Sequence, residues 1–224
     1  MAGVAAAEVG IATALGAVLQ PDRLELYSGI GIGVALAMAV MFLDSPPHYI
    51  ERWRQGAEGE QATAKALRPL VRGGWILLHD VDTGRGNLDH IVVGPPGVFL
   101  LESKNLAGTV TVERGVLTVR WREDPNDGYD NAHLAGRMRA RAAELSAALR
   151  AHGVPGIWVQ PVVVLWGAFA QRLIESERVA WVEGRALRSV LEGRPTALTP
   201  ARITEASIAM ARWVESLGEN DVAA

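Results

Sequence analysis

The hydrophobic pattern divides the chain into an apolar leader and a mixed α/β domain. Residues 26–43, LYSGIGIGVALAMAVMFL, carry no charge over 18 positions. As a helix this run spans about 27 Å, close to a bilayer core of about 30 Å. A shorter apolar run covers 9–19, and Pro21, Asp22 and Arg23 offer a turn between the two. One span is favoured over a hairpin, and a pair of buried helices is the alternative. After the DSPPH stretch at 44–48, residues 51–71 read as a helix interrupted or started near Gly56. Short β-rich runs follow at 75–79, 88–93 and 98–104, the last two joined by Gly94-Pro95-Pro96-Gly97. Runs at 109–112 and 117–121, split by Arg114-Gly115, predict a hairpin. Residues 131–152 predict a long helix, 157–166 a central strand and 179–182 a short one. Helices are predicted at 185–191 and 200–217, the latter with Thr199 as N-cap and Pro200 at its first position.

The expected architecture is therefore α/β, a mixed sheet flanked by helices and preceded by a transmembrane helix or helical hairpin. The segments are an apolar membrane leader at 1–43, a linker at 44–50, a principal domain at 51–183 and C-terminal helices at 184–224.

Charge sharpens the division. Of the acidic and basic residues, only Glu8, Asp22, Arg23 and Glu25 fall in 1–43. No Lys or Arg precedes the first apolar run and no clear cleavage site follows either, so a secretory signal fits poorly. Arg52 and Arg54 follow the leader, which places the C-terminal domain in the cytoplasm of a protein held at the cell membrane through residues 9–43. Gly29 and Gly33 form a GxxxG pair compatible with a homo-oligomer. The whole chain has 22 basic and 25 acidic residues and a net charge of -3, which excludes a polycationic tail gripping nucleic acid by bulk charge. The absence of cysteine excludes disulfides, zinc–cysteine sites and thiol catalysis.

Candidate chemistry comes from strand alternation. In 98–104, Val98, Leu100, Glu102 and Lys104 share a face, and in 88–93 so do Asp89, Ile91 and Val93. An antiparallel GPPG connection lets Asp89 and Glu102 converge. Two carboxylates on adjacent strands make a hard oxygen site for Mg²⁺ or Mn²⁺, and a neighbouring lysine can orient water or stabilise a phosphate. The plain alternative is a surface Glu–Lys pair at a strand end. Lys104 is one of only two lysines, the other being Lys65. On the first helix Ala57, Glu60, Ala64, Leu67 and Val71 form the predicted apolar stripe, which aims Glu60 inward beside these acids.

Three elements carry a resemblance: Gly56-Ala57-Glu58-Gly59-Glu60, the Asn87–Gly94 segment with Gly97, and Glu102-Ser103-Lys104-Asn105. In order and spacing they resemble the NERD (nuclease-related) domain over about residues 50–165, itself similar to the PD-(D/E)XK nucleases. The resemblance implies a restriction-endonuclease-like core. It implies catalytic roles for Glu60, Asp89, Glu102 and Lys104, and metal ligation by Asp89, Glu102 and the Ser103 carbonyl. Leu88 stands where the superfamily name has proline. The implied function is a membrane-anchored, Mg²⁺-dependent nuclease acting on nucleic acid, DNA ahead of RNA. A catalytically silent module on the same fold, binding nucleic acid or protein, is the alternative, and the near-neutral charge outside the leader favours it. Arg137 and Arg141, at i and i+4 on the long helix, are candidate phosphate contacts, with an ordinary solvated helix face as the alternative. Gln160 reads as a core amide, and His79, Asp80, Asp82 and His90 do not read as a second metal site.

Overall fold

A computed structural model of the chain describes residues 29–30, 32–34, 36, 48–84, 86–122, 124 and 126–222. The chain divides into two compact units, Met1–Arg54 and Gln55–Ala224. Most of the charge-free run at 26–43, all of the run at 9–19 and the Pro21–Arg23 turn lie outside the described residues. Within that run Gly29, Ile30, Ile32, Gly33, Val34 and Leu36 are helical. Among the described residues no helix is long and apolar enough to cross a membrane.

The elements are α1 (His48–Val71), β1 (Ile76–Asp82), β2 (Asn87–Gly94), β3 (Gly97–Glu113), β4 (Val116–Arg120), β5 (Gly128–Asn131), α2 (Leu134–Ala151), β6 (Val159–Phe169), β7 (Leu173–Ser176), β8 (Val179–Glu183), α3 (Leu187–Glu192) and α4 (Pro200–Val222). The strands form one mixed sheet in the order β1-β2-β3-β6-β8-β7, with β4 on β3 and β5 on β4. Alternation sorts the side chains between two cores. Leu67 and Leu70 of α1, with Leu187 and Leu191 of α3, cover the face that presents Val92, Phe99, Leu101, Val162 and Val164. Leu134, Met138, Leu145 and Leu149 of α2, with Ala209 and Met210 of α4, cover the face that presents Ile91, Val93, Val98, Leu100 and Val163. Strand β6, buried on both faces between parallel neighbours β3 and β8, is accordingly a near-continuous apolar run.

The predicted hairpin is present, but its first arm is the far end of β3, so the strands read at 98–104 and 109–112 are one 17-residue strand. A register shift between Leu106 and Thr109 lets β3 bend along β6. At Gly108 a Cβ would lie 2.5 Å from the Arg120 carbonyl oxygen, so glycine is required where β4 meets the bend. The four-residue strands β5, which is polar, and β7, whose two apolar residues are adjacent, have no apolar alternation and escape a reading based on it. Thr199 accepts the Arg202 amide at 3.3 Å, as its N-cap role requires. The Pro95-Pro96 turn aligns Gly94 with Gly97, and the Pro95 carbonyl accepts the amides of Ala197 and Leu198.

Helix α1 corrects the expected stripe. It runs unbroken through Gly56, and its buried positions are Gly59, Thr63, Leu67 and Leu70; Glu60 and Val71 are exposed. The buried face is turned by one residue from that stripe, and α1 approaches β3 closely at Gly59. A Cβ on Gly59 would lie 3.0 Å from the Asn105 Cβ. One turn later the fully buried Thr63 hydroxyl donates to the Gly59 carbonyl at 3.0 Å. It accepts from Ser103 Oγ and Trp166 Nε1, each at 2.8 Å. Replacing Thr63 by valine keeps the shape and strips both donors of their acceptor. Thr63→Val is expected to lower stability by about 2 kcal/mol in thermal denaturation, and Thr63→Ser to restore most of the loss.

Candidate active site

The site is built where β3 changes partners. Along one edge, β2 pairs with β3 from Gly97 to Leu101 and β4 pairs with it from Thr109 to Glu113. Between these two ladders no strand is in register on that edge. The Asp89 carboxylate occupies the opening and accepts the Ser103 amide through Oδ2 at 2.7 Å. The side chain thus substitutes for a missing strand, and Asp89 is fixed beside Glu102.

Glu102 projects from the face carrying Val98 and Leu100, and its side chain is only 15% exposed. Lys104 Nζ donates to its Oε1 at 2.7 Å. Arg141 Nη1, from α2, donates to its Oε2 at 3.4 Å and to the Asn87 carbonyl at 3.2 Å. Arg141 therefore belongs to the carboxylate cluster itself. Arg137 lies one turn away beside the neighbouring cavity. Ser103 points to the opposite face, toward Thr63.

Glu60 stands at the margin of α1 rather than on its buried stripe. Its carboxyl is nonetheless held above the ordinary range, first by partial desolvation and then by the charge of Asp80; Lys104 opposes this and Glu102 adds to it. It is an exposed acid within the field of the same cluster. Asp89 is pushed up to about 6, chiefly by burial and then by the Glu102 charge. The Ser103 amide and Lys104 offset this only in part, and Glu60 adds to it. Burial also raises the Tyr129 phenol of β5, which Lys104 pulls the other way, so Tyr129 lies within reach of the lysine's charge. Tyr129 and Asn87 have no signal in the strand pattern. Arg141 does, because its i, i+4 relation to Arg137 already marks that face of α2.

On the other face, His79 and His90 meet through their Nδ1 atoms at 2.7 Å, so one ring carries its proton there and the other accepts it. Burial and then His79 lower His90 to about 4, which leaves it neutral near pH 7. Its Nε2 makes no hydrogen bond of good geometry, although the backbone of Glu60 lies beside the ring. Gln160 lies at the far end of the sheet, donating to the carbonyls of Pro161 and Arg178. Among the described residues no group of three or more His, Asp or Glu side chains could hold a metal ion. The oxygen donors at the β3 opening are thus two carboxylates and the backbone.

An acid pair and a lysine thus lie together at the opening between β2 and β4, inside a helix-flanked mixed sheet. The nuclease-related domain (NERD) family matches residues 55–166, half of the chain and all of the β2–β3 site, and the chain belongs to that family. This membership is consistent with the PD-(D/E)XK-like nuclease superfamily. No curated protein and no solved structure matches the chain.

The raised Asp89 pKa reverses the usual acid dependence of stability. The folded state holds the Asp89 proton up to about pH 6, whereas the unfolded chain releases it near 3.8. Stability from this group is present below about pH 4 and is lost as pH rises through 6. Asp89→Asn keeps an acceptor for Ser103 and removes the buried charge. It is expected to raise stability at pH 7.5 by on the order of 2 kcal/mol, with the gain vanishing near pH 4 in denaturant titrations.

Proposed function

We propose that this chain is a divalent-metal-dependent nuclease that hydrolyses phosphodiester bonds of nucleic acid. The observation that carries the reading is the convergence of Asp89, Glu102 and Lys104 at the opening in the β3 edge. There burial, and after it the charge of the neighbouring Glu102, raises Asp89 to about 6. Carboxylates crowded in this way fit a cation. Asp89 and Glu102 would hold Mg²⁺ or Mn²⁺, with the Ser103 carbonyl as a further oxygen, because an extended residue points its N–H and C=O to the same strand edge. Two carboxylates plus backbone suit Mg²⁺, which keeps several waters and binds substrate phosphate.

An ion held by Asp89 and Glu102 would supply a means of activating water and of neutralising charge on the leaving oxygen. Lys104 holds its ammonium beside Glu102, where it can orient the attacking water or stabilise the transition-state phosphate. Glu60, in the same field, completes the acidic rim. Arg141 and Arg137 bind flanking phosphates and orient the strand. A second reading, a non-catalytic nucleic-acid-binding module, draws support from the two cations already bonded to Glu102, which neutralise it without metal.

The test is cleavage of labelled DNA and RNA by the full-length protein with Mg²⁺, Mn²⁺ or EDTA. Expected are metal-dependent cutting, loss of at least about a hundredfold in Asp89→Asn, Glu102→Gln and Lys104→Ala, and a smaller loss in Arg137→Gln. Absence of cutting with either metal, with strand binding unaffected by Asp89→Asn and Glu102→Gln, would establish the module instead.

We further propose that the leader anchors the domain at a membrane, with the domain on the cytoplasmic side. The charge-free run supports this, as do Ile30, Ile32, Val34 and Leu36, which are helical and 48–62% exposed. After alkaline carbonate washing the full-length protein is expected in the membrane pellet. Quantitative release into the supernatant would remove the anchor.

A further inference from the structure

Beside the carboxylates lies a cavity of about 490 Å³ between the β1–β2 turn, α2 and the end of α4, whose apolar wall has no part in the chemistry above. Its size falls within the range of small-molecule sites. Arg137, Arg141 and Glu144 line it at i, i+4 and i+7, one face of α2. Leu88 and Leu145 form apolar wall, and Trp213 of α4 faces them across the opening. Arg141 reaches Glu102 from the same cavity, so cavity and acids are contiguous. Arg137 makes no ion pair among the described residues. Trp213 lies beyond the residues that match the NERD family, so this wall is supplied by the chain outside its family domain.

We infer that this cavity is a nucleotide subsite that receives an unpaired base next to the scissile phosphate, and that the substrate class is single-stranded nucleic acid. The inference rests on the nuclease reading for the position of that phosphate. The cavity joins the two chemistries a nucleotide needs. The guanidinium of Arg141, which bonds Glu102, and that of Arg137 one turn away attract phosphate. The indole and the leucines offer a flat and apolar surface on which any base can stack. The Glu144 carboxylate repels phosphate and accepts from base amino or imino groups, which directs the base away from the arginines' end. A base paired in a duplex would have to leave its stack to enter, and a single strand avoids that cost.

The test is binding of the full-length protein to a short fluorescein-labelled strand and to the blunt duplex of the same sequence. Anisotropy is read in EDTA so that nothing is cut. The single strand is expected to bind more tightly. Trp213→Ala should weaken strand binding on the order of tenfold and leave duplex binding unchanged, while Trp213→Phe retains most of the affinity. Because Trp213 also packs on the core, Arg137→Gln serves as a second variant. It should weaken strand binding with no change in melting temperature. Equal affinity for strand and duplex, or strand binding indifferent to both Trp213→Ala and Arg137→Gln, overturns the subsite. Strand preference lost in Trp213→Ala, in a protein that cuts nothing with Mg²⁺ or Mn²⁺, upholds the subsite and removes the nuclease reading. Metal-dependent cutting with duplex preferred and Trp213 immaterial does the reverse.

Discussion

The hydrogen bond from the Ser103 amide to the Asp89 carboxylate holds the site together. An extended strand in a sheet must find partners for its amides, and β3 has β2 for one part of its edge and β4 for another. The stretch between falls to a side chain. By accepting that amide, Asp89 both closes the gap in the ladder and is brought next to Glu102. Lys104, on the same stretch of β3, stays partly exposed. A continuous strand across this edge would satisfy the backbone better and leave no site.

Placement has an electrostatic cost. Three acids, Glu60, Asp89 and Glu102, share one region with Lys104 and Arg141, and the cations bond to Glu102 alone. Asp89 is left with the amide, and partial burial does the rest, which is why its proton is retained to about pH 6. A divalent ion would compete for the electron pairs that this proton and the two side-chain cations now occupy. Affinity for such an ion would therefore rise with pH across the Asp89 titration. Arg141 would then be freed from Glu102 for a phosphate.

Much of this was legible from the chain itself. Alternation in 88–93 and 98–104 gave the faces correctly, because both strands are buried on two sides and register is strongly specified there. The pairing of Glu102 with Lys104 follows from the same alternation. The helix was misread at Glu60 for a physical reason. Periodicity weighs alanine and valine as core and glycine and threonine as surface, whereas Gly59 lets α1 pack closely on Asn105, and Thr63 is buried with three hydrogen bonds to satisfy it. The continuity of β3 was hidden by Gly108, which resembles a break and is in fact a bend packed on Arg120. The i, i+4 spacing marks Arg137 and Arg141 as cations on one face of α2, but the partner of Arg141, on a strand 39 positions earlier, depends on how α2 crosses the sheet. The family relationship, carried by Glu60, the β2 motif and Glu102–Asn105, agrees with the match over residues 55–166.

The two-proline turn at 95–96 acts as the ruler of this centre. Gly94 and Gly97 fix where β2 starts its return, and each residue pair counted back from them determines which side chain ends up across from Glu102. Lengthening the turn by a single residue would bring His90 or Leu88 to that place and direct Asp89 to the wrong side of the sheet. The amides of Ala197 and Leu198 clamp the Pro95 carbonyl, so a segment far along the chain guards the spacing. Variation in length is thus expected to be far less tolerable at this tight corner than at the Arg114-Gly115 corner, which no acid of the centre is measured from.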